Sequence, residues 1–393
     1  MLKIKMYPAQ NGDAFLIRSS GKNVLVDCGY ASTFEDSVAA DLHKISASGE
    51  RLNLLVVTHI DSDHIGGVIA LLEENGPNLP RNVIEIDEIW HNSLRCIQST
   101  NVASIPPPQK AILDSVVRRG YPLASASGAK QISAKQGSNL ATAVRRSGYS
   151  WNGADGTSAI SRELPPYCLG GEDLVRVIGP SNERLGGLSR WWLAQLRKLG
   201  YQGPTGSDEL LDEAFELICA HAPPARSLAK QISVGAKRRL ADVYEPDTSV
   251  TNGSSIATVL EVGGVRLLFL GDAWAEDIVD SLVDLRSRGH SLLFDAIKIS
   301  HHGSLRNTSP ALLDLIDAPM YFVSSSGALH DHPDFEVLAA IVDRPAPFAR
   351  ALYFNYATDA SARLRGYSPV SDATFSVIEN ATSWIEVSGG THD

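Results

Sequence analysis

Cysteine is scarce and dispersed in this chain of 393 residues. Cys28, Cys96, Cys168 and Cys219 form no Cys-x-x-Cys pair, which excludes a zinc ribbon or a disulfide framework and leaves reduced packing thiols as the expectation. Long apolar runs are missing as well. The most apolar stretch, Ser255 to Trp274, is interrupted by Glu261, Arg266 and Asp272, so no membrane span is expected. The opening residues, Met1 to Pro8, alternate like a strand and lack the apolar core of a secretory signal, which makes the cytoplasm the expected location. Charged residues make up 20% of the chain against 44% hydrophobic, a balance that excludes a disordered tail or a fibre and fits a globular protein with a large core.

Positive charge is in deficit overall, at −10, yet it is not absent evenly. Leu94 to Trp151 carries +7 and Ala222 to Ala241 carries +5, leaving −22 on the rest. These basic segments either hold a phosphate backbone or merely balance an acidic frame. Trp151, Trp191, Trp192 and Tyr149 lie beside them, able either to stack bases or to anchor the segment in a core. The pentapeptide Ala-Lys-Gln-Ile-Ser occurs at Ala129–Ser133 and Ala229–Ser233 without a longer period, and reads as a chance echo rather than a structural repeat.

Apolar alternation predicts strands over Leu2–Met6, Ala14–Arg18, Asn23–Asp27, Leu52–Thr58 and Ile84–Trp90, with helices over Glu35–Ser48 and from His64 to Gly76. A polar, Gly/Ser-rich middle follows, with helical pieces near Ala111–Arg119, Asn139–Arg146, Trp191–Leu199 and Asp208–Ala220 and one core strand at Leu174–Ile178. From Ser255 the β-rich pattern returns, with strands at Ile256–Val262, Val265–Leu270, Ala296–Ser300, Met320–Ser324 and Leu352–Phe354 and helices between them. The expected architecture is an α/β, four-layered αβ/βα sandwich. Residues 1–92 and 251–393 would form its halves and 93–250 a basic, partly helical insertion.

The densest chemistry is Thr58-His59-Ile60-Asp61-Ser62-Asp63-His64-Ile65-Gly66-Gly67, between a predicted strand and a predicted helix. A strand-end loop aims alternate side chains, His59 and Asp61, at one point, while Asp63 and His64 face a second point nearby. That spacing suits two metal ions. This motif resembles the His-x-His-x-Asp-His signature of the metallo-β-lactamase-fold hydrolases, with Asp61 in place of the second histidine, as in the ComEC-type competence protein branch. Gln10-Asn-Gly-Asp13, Val26-Asp27-Cys-Gly29, Asn252-Gly-Ser-Ser255, Leu270-Gly-Asp272-Ala273, Lys298-Ile-Ser-His301-His302-Gly303-Ser304 and His332-Pro333 follow in that branch's order.

The resemblance implies two divalent ions, Zn or Mn with Mg possible, held by His59, Asp61, Asp63, His64, Asp272 and a histidine of the His301–His302 doublet. Asp272 would bridge the ions. Asp27 would orient ligating histidines, and His332 would hydrogen-bond substrate or leaving group. His302 is favoured by the His-Gly pattern, but the register within the doublet is open by one residue. His91, at a strand end, is either a further ligand or a surface residue. Asn252, Ser304, Lys130 and Lys135 are candidate substrate contacts, and Asp63 also a catalytic group.

Such a site hydrolyses with a metal-activated water whose pKa falls toward ~7. The added carboxylate of Asp61 shifts preference toward oxygen-loving ions. A phosphodiester is the favoured substrate, which makes nucleic acid the candidate partner. The alternatives are a small-molecule phosphoester, lactone or amide, and a silent metal-stabilised scaffold.

Overall fold

Aliphatic runs with few polar interruptions form strands buried on both faces, and here they build two stacked sheets with helices outside. The structure is a computed structural model and describes residues 1–98, 102, 104–118, 139–220, 238–329 and 331–390. The first half supplies β1 (Leu2–Met6), β2 (Phe15–Ser19), β3 (Lys22–Val26), β4 (Leu54–Val56) and β5 (Ile89–Trp90). The middle supplies β6 (Tyr167–Gly170) and β7 (Asp173–Gly179). The last third supplies β8 (Ala257–Val262), β9 (Val265–Phe269), β10 (Ala296–Lys298), β11 (Met320–Val323), β12 (Arg350–Phe354), β13 (Phe375–Ile378) and β14 (Ile385–Val387).

One sheet has the order β14-β1-β2-β3-β4-β5 and the other β13-β12-β11-β10-β9-β8-β7-β6. Strand alternation sorts the core into three apolar layers. Ile4, Phe15, Val26 and Val56 face Leu260, Leu267, Phe269 and Phe322 between the sheets. Leu16, Leu25 and Leu55 pack under helices on one outer face, and Val259, Leu268, Ile297 and Tyr321 on the other. This is the expected four-layered sandwich.

The middle of the chain is knitted into that sandwich. Strand β7 pairs antiparallel with β8 inside the second sheet, as the Leu174–Ile178 pattern implied. The helices Leu140–Ser147, Asn182–Lys198 and Glu209–Ala220 send Leu140, Val144, Trp192 and Phe215 into the outer layer of the first sheet. Trp151 and Trp192 are fully buried and Tyr149 nearly so, with Trp151 Nε1 donating to the His91 carbonyl at 2.9 Å. For these three the anchoring alternative holds, and base stacking does not.

Five of the seven described cations of the basic segments are engaged with acids, while exposed Lys110 and Arg118 are not, among the described residues. Arg95 pairs with Asp155, Arg145 with Asp212, Arg146 with Glu209, Arg238 with Glu336 and Arg239 with Asp242. Lys130, Lys135 and both Ala-Lys-Gln-Ile-Ser segments lie outside the described residues. Among the described residues no helix is long and apolar enough to cross a membrane.

Candidate metal centre

Strands β3 and β4 run parallel, as do β9, β10 and β11, and their C-terminal ends open on one edge of the sandwich. Loops leaving such ends are where ligands gather in open α/β sheets. Asp27 follows β3, His59 and Asp61 follow β4, Asp272 follows β9, His301 and His302 follow β10, and His332 lies in the loop after β11. The two halves meet there. Ile256 N–H donates to the Thr58 carbonyl at 2.8 Å, His301 N–H to the Gly271 carbonyl at 2.9 Å, and Ser324 Oγ to the Gly12 carbonyl at 2.6 Å.

Asp61 sits at the N-cap of the helix Ser62–Asn75, yet its carboxylate caps no backbone N–H. Capping would be its ordinary use at that position. Instead Asp61 Oδ2 lies 3.6 Å from His59 Nε2, and the buried Oδ1 has no hydrogen-bond partner.

Asp272 is the hub. Its Oδ2 lies 3.7 Å from His59 Nε2, 3.8 Å from His64 Nε2, 3.6 Å from His301 Nε2 and 3.8 Å from His302 Nε2. These gaps exceed hydrogen-bond length but approach the edge, ~3.4 Å, of a tetrahedron of ligands bonded at ~2.1 Å to one ion. Buried polar groups are normally paired, whereas His59 Nε2, His64 Nε2 and Asp272 Oδ1 are not. His59, His64 and Asp272 form one compact ligand group, and Asp63, His64 and His302 another.

Each imidazole is held from behind. Thr58 Oγ1 donates to Asp27 Oδ2 at 2.6 Å and lies 3.1 Å from His59 Nδ1. His64 Nδ1 lies 2.8 Å from Asp27 Oδ2, His301 Nδ1 2.8 Å from Asn307 Oδ1, and His302 Nδ1 2.7 Å from the Ser324 carbonyl. With carboxylate, amide and carbonyl oxygens as acceptors, Nδ1 carries the proton in these rings and Nε2 keeps its lone pair for an ion. The donor set therefore fits divalent metals.

Backbone strain marks the same places. Asp27, His301 and His302 have positive φ of 53°, 45° and 56°. Such conformations in non-glycine residues cost about 1–3 kcal/mol and persist where surroundings over-determine them.

Charge follows geometry. Burial opposes the imidazolium of His64, but Asp27 and Asp272 outweigh it and hold the ring's pKa well above its ordinary value. His302 is raised likewise against burial, by Asp272 and Asp13. Burial favours neutral Asp272, yet His301, His302, His64 and His59 pull it well below the usual carboxylate range. His301 goes the other way, lowered by burial and by its histidine neighbours.

The remaining candidates fall elsewhere. His91 is fully buried, with Nε2 3.5 Å from Glu216 Oε1 and its ring stacked on Trp151, and it joins none of the ligand groups among the described residues. Asn252 donates to Asp247 Oδ2 at 2.7 Å and touches the back of His301, while buried Ser304 accepts from Arg306 N–H. Both brace the loop that carries the histidine doublet. His332 lies with its ring 5.4 Å from that of His301 and its Nδ1 3.3 Å from Asp334 Oδ2. Sequence reasoning gave no role to Thr58, Asp13, Lys298, Asn307, Asp247 or Asp334. A lysine inside the apolar strand Ala296–Ile299 was the available signal for Lys298.

Close backbone approach seats the helix that carries Asp63 and His64. A Cβ at Gly67 would lie 2.1 Å from the Cys28 carbonyl oxygen, and one at Gly12 would lie 1.8 Å from that of Asp63. Gly67→Ala is expected to destabilise the fold by about 1–3 kcal/mol or more, as overpacking does. Chemical denaturation checks this, and an unchanged midpoint would show that the helix seat is loose.

A family profile described as the metallo-beta-lactamase superfamily matches residues 7–126, which contain β2 to β5 and the His59–His64 loop. Together with two sheets sandwiched by helices and a histidine–carboxylate cluster on their shared edge, this decides the fold. The chain has the metallo-β-lactamase fold. That superfamily consists mostly of hydrolases and typically binds divalent metals. The chain is 29% identical over 92 residues to the anti-Pycsar protein Apyc1 of Bacillus phage BSP38, covering 22% of this chain and 34% of that protein. It is 32% identical over 91 residues to Apyc1 of Bacillus phage vB_BsuM-Goe3, covering 21% and 33%. The chain thus spans about a third of these curated relatives. Among solved structures, the metallo-β-lactamase-fold protein YhfI of Bacillus subtilis aligns over 98% of this chain and 100% of its own, at 9% identity and a TM-score of 0.37. Igni18, a metallo hydrolase of Ignicoccus hospitalis KIN4/I, aligns over 98% and 99%, at 10% identity and a TM-score of 0.35.

Proposed function

We propose that this protein is a metal-dependent phosphodiesterase of the ComEC-type branch that acts in the cytoplasm on a small or terminal phosphodiester. The observation that carries the reading is the ring of four imidazole Nε2 atoms around one buried carboxylate oxygen of Asp272. His59, Asp61, Asp63, His64, His301 and His302 would hold two divalent ions, with Asp272 shared between them. Three carboxylates in that set favour Mn or Mg beside Zn. Bound ions would supply Lewis acidity toward a phosphoryl oxygen and acidify a coordinated water, chemistry suited to in-line displacement at phosphorus.

The protein's own groups divide the remaining work. Asp27 and Thr58 fix His59 and His64. Asp63, at the rim beside His64 and His302, accepts the proton lost by the attacking water. His332, oriented by Asp334, delivers a proton to the leaving oxygen. The four free cysteines agree with a reducing compartment.

Two observations favour a small substrate over a nucleic-acid polymer. Five of the seven described basic side chains of the middle segments are paired with acids, and three of the four aromatic candidates are buried. A polymer held by 6–10 phosphate contacts loses about 10³–10⁵ in affinity between 50 and 200 mM salt. Hydrolysis of bis-p-nitrophenyl phosphate is expected with KM changing by no more than about threefold over that range, since little counterion release accompanies it. Cleavage of p-nitrophenyl acetate or a lactone with no phosphodiester turnover would replace the substrate class. A steep salt dependence together with cleavage of single-stranded DNA or RNA would restore the polymer.

A further inference from the structure

A buried lysine lies beneath the centre. Lys298 is 1% exposed at the end of β10, between Ile297 and Ile299, and an unpaired ammonium there would be untenable. Its Nζ is clamped by the Asp13 carboxylate, donates to the Gly271 carbonyl at 3.1 Å and stands 4.0 Å from Asp272 Oδ1. That oxygen is the one turned away from the imidazoles, and it is buried without a hydrogen-bond partner. Asp13 in turn faces the back of His302, with Oδ1 3.4 Å from Nδ1.

We infer that Lys298 is a positioning residue of the metal centre, a fixed internal cation that holds Asp272 Oδ1 and so turns Oδ2 toward the shared position between two divalent ions. The inference rests on the metal-binding reading above. Asp13 and Lys298 cancel as a pair, so the ammonium acts on Asp272 through its position and not through the sum of charge behind the ligands.

The competing account is an ordinary buried ion pair that stabilises the fold and touches the centre only by proximity. Lys298→Met, Asp13→Asn and the double variant separate the two. Metal content of purified protein, titration of Mn into metal-free protein and the low-temperature EPR spectrum of coupled Mn ions are the readouts. Wild type is expected to take two coupled ions. Lys298→Met should bind the second ion about 10–100-fold more weakly, the range for lost supporting contacts, and lose the coupling signature.

Asp13→Asn leaves Lys298 beside Asp272 and should keep both ions. The double variant removes the pair without a net charge change, so the melting temperature of the metal-free protein should recover toward wild type while the second ion stays lost. Two coupled ions in the double variant would overturn the inference and leave the metal reading standing. Loss of the second ion in Asp13→Asn as severe as in Lys298→Met would overturn it too, by assigning the effect to the ion pair. A wild type that takes no ion overturns the metal reading and this inference with it. If the double variant does not fold, the comparison of Asp13→Asn with Lys298→Met decides.

Discussion

Asp272→Asn is expected to abolish turnover while leaving the sandwich intact. The substitution keeps the shape of the side chain and removes the charge that four imidazoles surround at 3.6 to 3.8 Å. On the proposed reading a neutral amide oxygen would hold divalent ions more weakly than the carboxylate, so metal content is expected to fall. Charge stabilisation by a metal is worth several kcal/mol, and each 1.36 kcal/mol is tenfold, which puts the expected loss in kcat at about 10³-fold or more. Steady-state kinetics on bis-p-nitrophenyl phosphate, with metal content measured on the same preparation, checks it. Full activity in this variant would remove hydrolysis at this site as the protein's chemistry.

The second large effect is the response to a chelator as pH changes. In metal-free protein, His64 and His302 have pKa values raised from 6.5. A raised pKa contributes stability that is complete below the unfolded value and disappears as pH rises through the folded value. Asp272, depressed from 3.8, contributes stability that is present above its unfolded value and lost only as pH falls through the much lower folded one. His301, lowered from 6.5, opposes its neighbours in part by favouring the fold at higher pH. The net expectation is a metal-free melting temperature that is highest in mild acid and declines through and above neutrality.

Ions act oppositely, because they require deprotonated ligands and bind more tightly as pH rises. At a thousandfold excess over Kd a bound ion adds about 4 kcal/mol. The gap in melting temperature between Mn-loaded and EDTA-treated protein should therefore widen from pH 5.5 to 8.5 (about three pH units spanning the histidine range). A gap that is constant or narrows with pH would mean that these imidazoles are not the ligands.

The parts of this centre that were legible in the sequence are those whose placement follows from local spacing. His59, Asp61, Asp63 and His64 occupy one turn between a strand and a helix, and Asp272 ends an apolar strand, so chain geometry alone brings them to an edge. The doublet was open by one residue, and the structure directs both His301 and His302 Nε2 atoms at the same carboxylate oxygen. Lys298 and Asp13 were opaque as a pair, since nothing local tells a lysine in a strand which distant carboxylate it will meet.

The secondary structure failed where propensity and pairing disagree. Ile84–Trp90 looks like one strand, but only Ile89–Trp90 pairs as one, joined upstream by a single Ile86–Leu52 bridge. The helix begins at Asn182, ahead of the Trp191 start that the sequence predicts, because Gly186 and Gly187 weaken the helical signal of its early turns. Strands β6, β13 and β14 are short and half-exposed and carry little apolar alternation. The texture of the middle segment suggested an insertion, yet texture does not report that its Trp192 and Phe215 fill the outer layer of the first sheet.

His59 and His302 stand on opposite sides of that middle segment, and the last strand, β14, closes back onto β1. A growing chain therefore exposes the first histidine–aspartate loop long before Asp272 or the doublet has been made. On the proposed metal reading the early loop alone would offer only a weak, incomplete grip on a cation, and tight capture would be a late event of biosynthesis that reports completion of the whole sandwich.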